Sequence, residues 1–274
     1  MTLNCNGNLI ALDTPKVMGI VNLTPDSFYD GGKCNSLPKV IEQVKKMLAD
    51  GATFIDLGAY SSRPNAKHIT ETEEMQRIVP IVKALVSEFP KIILSIDTFR
   101  STIAKACINE GAAIINDISA GNMDVNMMKT VGKLGVPYMM MHMKGTPQNM
   151  QENPTYQNVT LEVMQYFSEK IAAAKKHQIN DIIIDPGFGF GKTIAHNYQL
   201  ANNLELFKNI NVPLLVGFSR KSMIYKVLNT DAQHALNGTT VLNTLALYKG
   251  AKILRVHDVK EAVECVELIE RLKD

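Results

Sequence analysis

Residues 181–192 read DIIIDPGFGFGK, and this stretch decides how the rest of the chain is interpreted. Its three isoleucines form an apolar run without polar alternation, which is typical of a strand buried on both faces of a parallel sheet. Asp185 then lies at the carboxyl end of that strand. Pro186 cannot donate to a ladder, and the alternating glycines allow backbone conformations closed to other residues. We therefore expect the chain to leave the sheet abruptly after Asp185 and to present Phe190 above it.

The same stretch has two other interpretations. Its end, with Lys192 and Thr193, resembles the phosphate-binding motif GxxxxGK[ST]. The spacing argues against a phosphate loop, because the first glycine of that motif falls on Pro186 and because Asp185 would repel phosphate. A glycine-rich turn without chemistry is the other alternative, and only the remaining strands decide against it.

The composition is that of an ordinary globular protein. The chain has 274 residues, 46% hydrophobic and 20% charged, and its net charge of +2 gives no overall field that would select nucleic acid or a membrane as partner. The four cysteines lack the spacing of a disulfide framework or a zinc site. The polar N-terminus predicts no signal peptide, and no apolar run reaches membrane-spanning length. We expect a cytoplasmic protein with a single domain over residues 1–274.

Eight apolar segments predict strands, and helix-like segments with apolar residues at three and four spacing lie between them. The predicted strands are residues 16–21, 53–57, 92–96, 113–118, 136–141, 181–184, 212–216 and 251–256. A turn signal at Asn6 and Gly7 predicts a hairpin that covers one end of the fold. Eight strand-helix units favour closure over an open doubly wound sheet. The predicted fold class is therefore α/β, a (β/α)8 TIM barrel with an N-terminal hairpin.

Polar side chains lie at, or just after, the carboxyl ends of all eight predicted strands. They are Asn22, Asp56, Asp97, Asn116 with Asp117, His142, Asp185, Ser219 to Ser222, and Arg255 with His257. In a barrel these side chains converge on one mouth, where this fold carries its catalytic groups. For Asp56 and Asp117 taken singly, capping of helices or binding of loop amides is the favoured interpretation.

Asp97, Asn116, Asp185 and Lys221 suggest a site for a flat heterocycle that presents paired N–H donors and a carbonyl. A carboxylate accepts two parallel N–H bonds, an amide both donates and accepts, and a lysine serves a ring nitrogen or a carbonyl. Buried charges seldom offset their own desolvation, so binding explains them better than stability does. Met139 and the methionines that follow it are interpreted as barrel core and pocket wall.

A second set of cationic and donor-rich side chains suits phosphate, because arginine recognises phosphate oxygens through its fork geometry. This set contains Ser61, Ser62, Arg63, Arg255 and His257. Asn22 supplies a neutral oxygen that would help to hold Mg²⁺ together with phosphate oxygens. For each arginine alone, a surface salt bridge is the alternative. The long loops after the first two strands are expected to close over the site.

Motifs along nearly the whole chain resemble, in the same order, those of the dihydropteroate synthase family. They are NLTPDSF at 22–28 with DGG at 30–32, SSRP at 61–64, SIDT at 95–98, IND at 115–117, MHM at 141–143 with GTP at 145–147, DPGFGFGK at 185–192, GFSRKS at 217–222 and RVHDV at 255–259. A single motif would be weak support, whereas the ordered set is specific to the family.

The resemblance implies condensation of 6-hydroxymethyl-7,8-dihydropterin diphosphate with 4-aminobenzoate, giving 7,8-dihydropteroate and diphosphate, with Mg²⁺, in folate biosynthesis. It implies that the pterin is bound by Asp97, Asn116, Met139, Asp185 and Lys221. The diphosphate would be bound by Asn22, Ser61, Ser62, Arg63, Arg255 and His257, with Asn22 as a metal ligand. The 4-aminobenzoate would be bound by Phe28, Ser62, Pro64, Phe190, Ser219 and Lys221. Of these, Arg63, Asp97, Asp185 and Lys221 would be the catalytic groups. Sulfonamides would inhibit, and the chain would form a homodimer.

The second loop departs from the family pattern. The family usually has GGESTRPG, whereas this chain has GAYSSRPN at 58–65. Ser62 keeps the hydroxyl, but Tyr60 and Asn65 replace an acid and a glycine, which bears on loop closure and on aminobenzoate and sulfonamide affinity. Two rival functions remain. A methyltransferase using methyltetrahydrofolate would share the barrel and the pterin carboxylates without needing Arg255 and His257, and a pterin-binding homologue would lack catalysis.

Overall fold

The computed structural model describes residues 1–23, 37–61 and 68–272. A two-stranded antiparallel hairpin opens the chain, with β1 at Thr2–Cys5 and β2 at Asn8–Ala11. Asn6 and Gly7 form its turn, and both have positive φ angles, the conformation that tight hairpin turns require and that these two residue types tolerate. The predicted hairpin is thus confirmed.

Eight parallel strands follow the hairpin. They are β3 (Lys16–Asn22), β4 (Phe54–Gly58), β5 (Leu94–Asp97), β6 (Ile114–Asp117), β7 (Tyr138–Met141), β8 (Ile182–Asp185), β9 (Leu215–Val216) and β10 (Ile253–Val256). Their hydrogen-bonded order is β8-β7-β6-β5-β4-β3-β10-β9, and a parallel bridge from Ile184 to Leu214 joins the two ends of this sheet. The sheet is therefore closed, which confirms the predicted (β/α)8 barrel. β9 is shorter than the predicted 212–216, since Pro213 has no N–H to donate.

Helices connect the strands around the outside. They are α1 (Leu37–Ala49), α2 (Glu71–Glu88), α3 (Ser101–Asn109), α4 (Met127–Leu134), α5 (Val159–Lys176), α6 (Ile194–Asn202), α7 (Ser222–Tyr225), α8 (Leu236–Tyr248) and α9 (Val259–Arg271), with a 3-10 helix at Leu204–Ile210. Thr70 caps α2 by accepting a hydrogen bond from the Glu73 amide, and Asn158 caps α5 in the same way. Among the helices of the described residues, none is both long enough and apolar enough to span a bilayer.

Two layers of side chains fill the barrel, because every second residue of a strand points inward. The lower layer is apolar and packs against Leu3, Cys5 and Leu12 at the hairpin. It contains Met18, Phe54, Ile114, Met139, Ile183, Leu215 and Ile253. Two positions further along four of these strands, the corresponding residues are Asp56, Asn116, Asp185 and Arg255. The hairpin end is thus closed by an apolar core, and polar groups lie at the carboxyl ends of the strands.

Candidate active site

A cavity of about 630 Å³ opens at the carboxyl ends of the barrel strands. Eight of the residues predicted for the site line it, and they come from seven different strands and loops. They are Asn22, Ser61, Asp97, Phe190, Ser219, Lys221, Arg255 and His257. Four other predicted residues, Phe28, Ser62, Arg63 and Pro64, lie outside the described residues. Closure of the barrel therefore brings the described polar groups to one opening although more than two hundred residues separate the first from the last.

Arg255 is the centre of a charged network at the floor of this cavity. Its Nε donates to Asp56 Oδ2 at 2.6 Å, and its Nη2 donates to Asp97 Oδ2 at 2.8 Å. Asn116 donates to the same Asp56 oxygen at 3.0 Å. Asp56 is fully buried, whereas 21% of the Asp97 side chain is exposed. Asp97 is consequently the carboxylate of this network that a ligand reaches.

The electrostatic environment makes Asp97 unusual. Burial raises its pKa to about 7, an effect that Arg255 opposes and that the neighbouring carboxylates Asp56 and Glu74 reinforce. A carboxyl group with such a pKa changes its protonation near neutral pH. Perturbed groups of this kind cluster at functional sites.

Asp185 and Lys221 are two further charged groups of the site, and each affects the pKa of the other. Asp185 is buried and accepts a hydrogen bond from the Gly187 amide at 2.8 Å. Burial raises the pKa of Asp185, and Lys221 opposes that shift. Burial likewise lowers the pKa of Lys221 to about 8, against the effect of Asp185. The Lys221 ammonium donates to the Phe188 carbonyl and lies 5.0 Å from the centre of the Phe190 ring.

Ser219 and His257 form a polar pair that also lines the cavity. The Ser219 Oγ accepts from the His257 amide at 3.1 Å and lies 3.0 Å from the His257 Nδ1. Both side chains belong to loops that follow adjacent strands, β9 and β10. The pair adds hydrogen-bonding groups to the cavity that Arg255 also lines, as an anion would require.

Three of the described residues predicted for the pterin do not line the cavity. Met139 is fully buried in the lower apolar layer, Asn116 is turned toward Asp56, and Asp185 is 6% exposed. Asn116 nevertheless lies next to a lining residue, since it is in register with Asp97 on one side and with Met139 on the other.

The comparisons with known proteins agree with this geometry. The sequence profile of the family described as "Pterin binding enzyme" matches residues 18–257. The chain belongs to the dihydropteroate synthase family of pterin-binding enzymes. Dihydropteroate synthase of Escherichia coli (strain K12) is 42% identical over 272 residues, which cover 98% of this chain and 96% of that protein.

Solved structures of the dihydropteroate synthase family show the same fold. The Yersinia pestis enzyme in a sulfonamide drug complex has a TM-score of 0.96 and 41% identity, and the match covers 100% of this chain and 99% of that one. The Xanthomonas albilineans enzyme in complex with 7,8-dihydropteroate has a TM-score of 0.88 and 34% identity, with coverage of 100% and 98%. The whole barrel, including the cavity end, is therefore shared.

Tyr60, which replaces the usual acid of the family's second loop, lines the cavity. Both its hydroxyl and its ring contact other side chains. Its hydroxyl lies 3.1 Å from the His68 Nδ1 and accepts from the Gln148 Nε2 at 3.0 Å. Its ring meets Phe99 edge-on, with 4.9 Å between the ring centres. Tyr60 thus links the loop after β4 with the loops after β5 and β7.

The role of Asp56 was not predicted from the sequence. The interpretation of Asp117 is confirmed, because it accepts from the Ser119 and Gly121 amides at 2.8 and 2.7 Å. The same interpretation is wrong for Asp56, which binds the side chains of Arg255 and Asn116. The one sequence signal for this role is that Asp56 lies two residues after the apolar Phe54, so that both side chains point into the barrel. This signal can be read only once the strand register is known.

Arg220 and Asp258 were also missed. They form a two-bond ion pair with both distances at 2.8 Å, and each side chain is 8% exposed. Arg220 has a positive φ of 54° and lies between Ser219 and Lys221. The pair therefore anchors the segment that carries two predicted ligand contacts. Its only sequence signal was the occurrence of both residues within family motifs.

Proposed function

We propose that this chain condenses 6-hydroxymethyl-7,8-dihydropterin diphosphate with 4-aminobenzoate, forming 7,8-dihydropteroate and releasing diphosphate, with Mg²⁺ bound. The observation that carries the proposal is the meeting of Asp97, Lys221 and Arg255 around one cavity in a member of this family. These three groups supply an acceptor, a donor and an anion-binding fork within one opening.

For the pterin, the proposed contacts are the two carboxylates Asp97 and Asp185 with Asn116 and Lys221. A fused ring with an amidine-like edge needs acceptors for its N–H groups, and the partly exposed Asp97 and the buried Asp185 are the proposed acceptors. Lys221 then serves a ring nitrogen or carbonyl. Met139 lies in register with Asn116 and is proposed as part of the apolar layer beneath the ring.

For the diphosphate, the proposed contacts are Asn22, Ser61, Arg255 and His257, together with Ser62 and Arg63. Asn22, Ser61, Arg255 and His257 line the cavity. Arg255 already spans Asp56 and Asp97, so its guanidinium is held in a fixed orientation before an anion arrives. Preorganised donors of this kind stabilise charge without reorganising during the reaction.

The residues present fit a magnesium ion held mainly by its substrate. Among the described residues, no group of three or more His, Cys, Asp or Glu side chains is placed to hold a metal. Mg²⁺ commonly keeps water and substrate phosphate oxygens and takes only one or two protein oxygens. Asn22 is the proposed protein ligand, and the bound ion would offset negative charge on the leaving diphosphate.

For 4-aminobenzoate, the proposed contacts are Phe190, Ser219 and Lys221, with Phe28, Ser62 and Pro64. The Phe190 ring suits an aromatic substrate, whereas the Lys221 ammonium and the Ser219 hydroxyl suit its carboxylate. Because a sulfonamide drug is bound in the Yersinia pestis relative, we propose sulfonamides as inhibitors that compete at this position.

The proposed reaction follows from this charge arrangement. The bond between the exocyclic methylene carbon and the diphosphate oxygen breaks, and its electron pair leaves with the diphosphate beside Arg255 and His257. The electron-rich pterin carries the resulting positive charge, which the Asp97 and Asp185 carboxylates stabilise. The amine nitrogen of 4-aminobenzoate then forms the new C–N bond and loses a proton to water or to the departing diphosphate. The arylamine needs no strong base.

Diphosphate release tests the proposal directly. Purified protein with both substrates and Mg²⁺ should release diphosphate and form dihydropteroate in equal amounts, and omission of either substrate should abolish both products. Binding of the pterin without diphosphate release would instead support the non-catalytic homologue. Activity with methyltetrahydrofolate as a methyl donor would support the methyltransferase.

We also propose a homodimer and a cytoplasmic location. Val241 and Tyr248 on α8 and Leu268 on α9 are exposed apolar side chains, which suit a contact with a second copy. Cys5, Cys107 and Cys265 are free thiols, which persist in a reducing compartment. Sedimentation analysis over a range of concentrations tests the dimer, and a single species at the monomer mass would reject it.

A further inference from the structure

The loop at 187–191 after β8 has a distinctive set of backbone contacts. Each of its five consecutive carbonyl groups accepts a hydrogen bond from a side chain. Lys192 donates to Gly187 and Phe190 at 3.0 Å each, Lys221 to Phe188, Gln151 to Gly189 at 2.6 Å and Tyr156 to Gly191 at 2.7 Å. The donors come from the loop after β7, from the loop after β9 and from the chain just beyond the loop itself. Side chains therefore supply most of the hydrogen bonds to these carbonyls, which belong to neither a helix nor a ladder.

The shape of the loop explains why side chains must do this. Gly187 has a φ of +70°, and a Cβ added there would lie 2.0 Å from the His142 carbonyl oxygen. Gly191 has a φ of +61°, and a Cβ there would lie 2.6 Å from the Lys144 carbonyl oxygen. Along this closely packed path the Phe190 amide donates to the Gly187 carbonyl at 3.1 Å. The other four carbonyls are bound by side chains, and buried carbonyls require partners.

Lys192 has a special place in this arrangement. Among the side chains of the described residues, it alone donates to two of the five carbonyls, and it is 3% exposed. Its Nζ also lies 2.9 Å from the His142 Nδ1. Burial lowers the pKa of His142 to about 2, so the imidazole is neutral.

The two carbonyl bonds do not depend on the charge of Lys192. Burial lowers its pKa, and Asp185 opposes that shift. As an ammonium, Nζ has a third hydrogen for the His142 Nδ1. As an amine, it donates two hydrogens to the carbonyls and accepts from an Nδ1–H tautomer of His142. In both states Gly187 and Phe190 keep their donor.

We propose that Lys192 is a positioning residue for the 4-aminobenzoate side of the cavity. By binding the Gly187 and Phe190 carbonyls, Lys192 fixes the position of the loop at 187–191 relative to the barrel. The position of the loop in turn sets that of the Phe190 ring and that of the Phe188 carbonyl, which accepts from Lys221. The pterin side depends on it less, since Asp185 belongs to β8 and that strand has its own ladder to β7. The proposal rests on the proposed function only for the identity of the ligand.

Lys192→Met tests this, because methionine has a similar length and no donor. We expect the KM for 4-aminobenzoate to rise at least about tenfold, since the loop that carries Phe190 loses its support, while the KM for the pterin diphosphate changes less than about threefold. Tyr156→Phe is the matched control. It removes one donor from the Gly191 carbonyl at the end of the same loop, and both KM values should stay within about twofold of the wild type.

Three results would overturn the proposal: equal increases in both KM values, an unchanged KM for 4-aminobenzoate in folded Lys192→Met, or the same split in Tyr156→Phe. Lys192→Gln, which keeps two amide hydrogens on a shorter stem, should fall between the wild type and Lys192→Met. Failure of both variants to fold would show a requirement of the barrel itself and would also reject a positioning role.

The outcome is separable from that of the proposed function. A wild-type chain that binds 4-aminobenzoate in calorimetry but releases no diphosphate would reject the condensation. The Lys192 comparison would then proceed on the calorimetric Kd for 4-aminobenzoate. The same tenfold difference between Lys192→Met and Tyr156→Phe is expected there.

Discussion

Two layers inside the barrel, only two positions apart on the same strands, have opposite chemistry. The lower layer contains Phe54, Ile114, Ile183 and Ile253, all fully buried and apolar, and the upper layer contains Asp56, Asn116, Asp185 and Arg255. Burial of each apolar side chain favours folding by about 1.5 to 3 kcal/mol. Burial of charges is unfavourable unless they are well paired. The difference shows that stability is supplied by the end covered by the hairpin, and that binding groups are concentrated in the layer above.

The upper layer is also incompletely satisfied. Among the described residues, the Asp56 Oδ1 and the Ser95 Oγ are buried without a hydrogen-bond partner. These residues are adjacent in register on β4 and β5. Buried polar atoms without partners are rare in folded proteins and call for a functional or structural reason. The lower layer, being apolar, has no such requirement.

The most direct test of this difference between the two layers is removal of Arg255, the cation of the upper layer. In Arg255→Ala the buried Asp56 loses its charge partner, so we expect the free energy of unfolding to fall by about 3 to 5 kcal/mol. Affinity for the pterin diphosphate should fall by roughly two to four decades. Affinity for the pterin monophosphate or the free alcohol should fall far less. Urea unfolding and competition binding measure the two effects.

A control for Arg255→Ala is available on the surface. Arg77 pairs with Glu73 along α2 at 2.5 Å, and loss of such an exposed pair costs about 0 to 1 kcal/mol. Arg77→Ala should therefore leave ligand affinity unaffected. Equal affinity losses for the diphosphate, the monophosphate and the alcohol in Arg255→Ala would count against a role in diphosphate binding.

Asp185→Asn addresses the buried carboxylate of the upper layer, on which Lys221 exerts an electrostatic effect. Removal of one charge from a buried ionic pair costs about 3 to 5 kcal/mol, so pterin affinity should fall by roughly two to four decades. Asp117→Asn is the matched control, because that buried carboxylate, at the end of β6, binds loop amides and should affect stability rather than affinity. An unchanged calorimetric pterin affinity in Asp185→Asn would reject the assignment.

The sequence predicted the strands and the convergence of their polar ends, because apolar runs and strand-end residues are local features. It did not distinguish Asp56 from Asp117, although both follow buried strands. The difference between them is that Asp56 points into the barrel toward Arg255, nearly 200 residues away in sequence. Such a contact depends on register and closure. The same limit applies to Lys192, which local sequence could show only as the end of a glycine-rich loop.

The pKa values of Asp97 and Lys221 predict a narrow pH optimum. Asp97 accepts N–H groups when ionised, above its pKa of about 7, and Lys221 is a cation below its pKa of about 8. The kcat/KM for the pterin diphosphate should therefore peak between these values and fall about tenfold per pH unit on either side. Asp97→Asn should remove the acid limb, and Lys221→Arg should move the alkaline limb to higher pH. A flat profile across the neutral range would contradict both assignments.

The smallest expected effect on ligands comes from the lower layer, at Met139. Met139→Ala removes a fully buried side chain, so the free energy of unfolding should fall by about 2 to 5 kcal/mol. Because Met139 lies beneath the polar layer, pterin affinity should fall by less than about threefold, or roughly 0.7 kcal/mol. Ile183→Val, at the residue in register with Met139 on β8, serves as the control, with an expected cost of about 0.5 to 1.5 kcal/mol. A folded Met139→Ala variant that lost more than a decade of pterin affinity would show that the pterin ring reaches the apolar layer. The lower layer would then contribute to binding as well as to stability, which would contradict the contrast between the two layers.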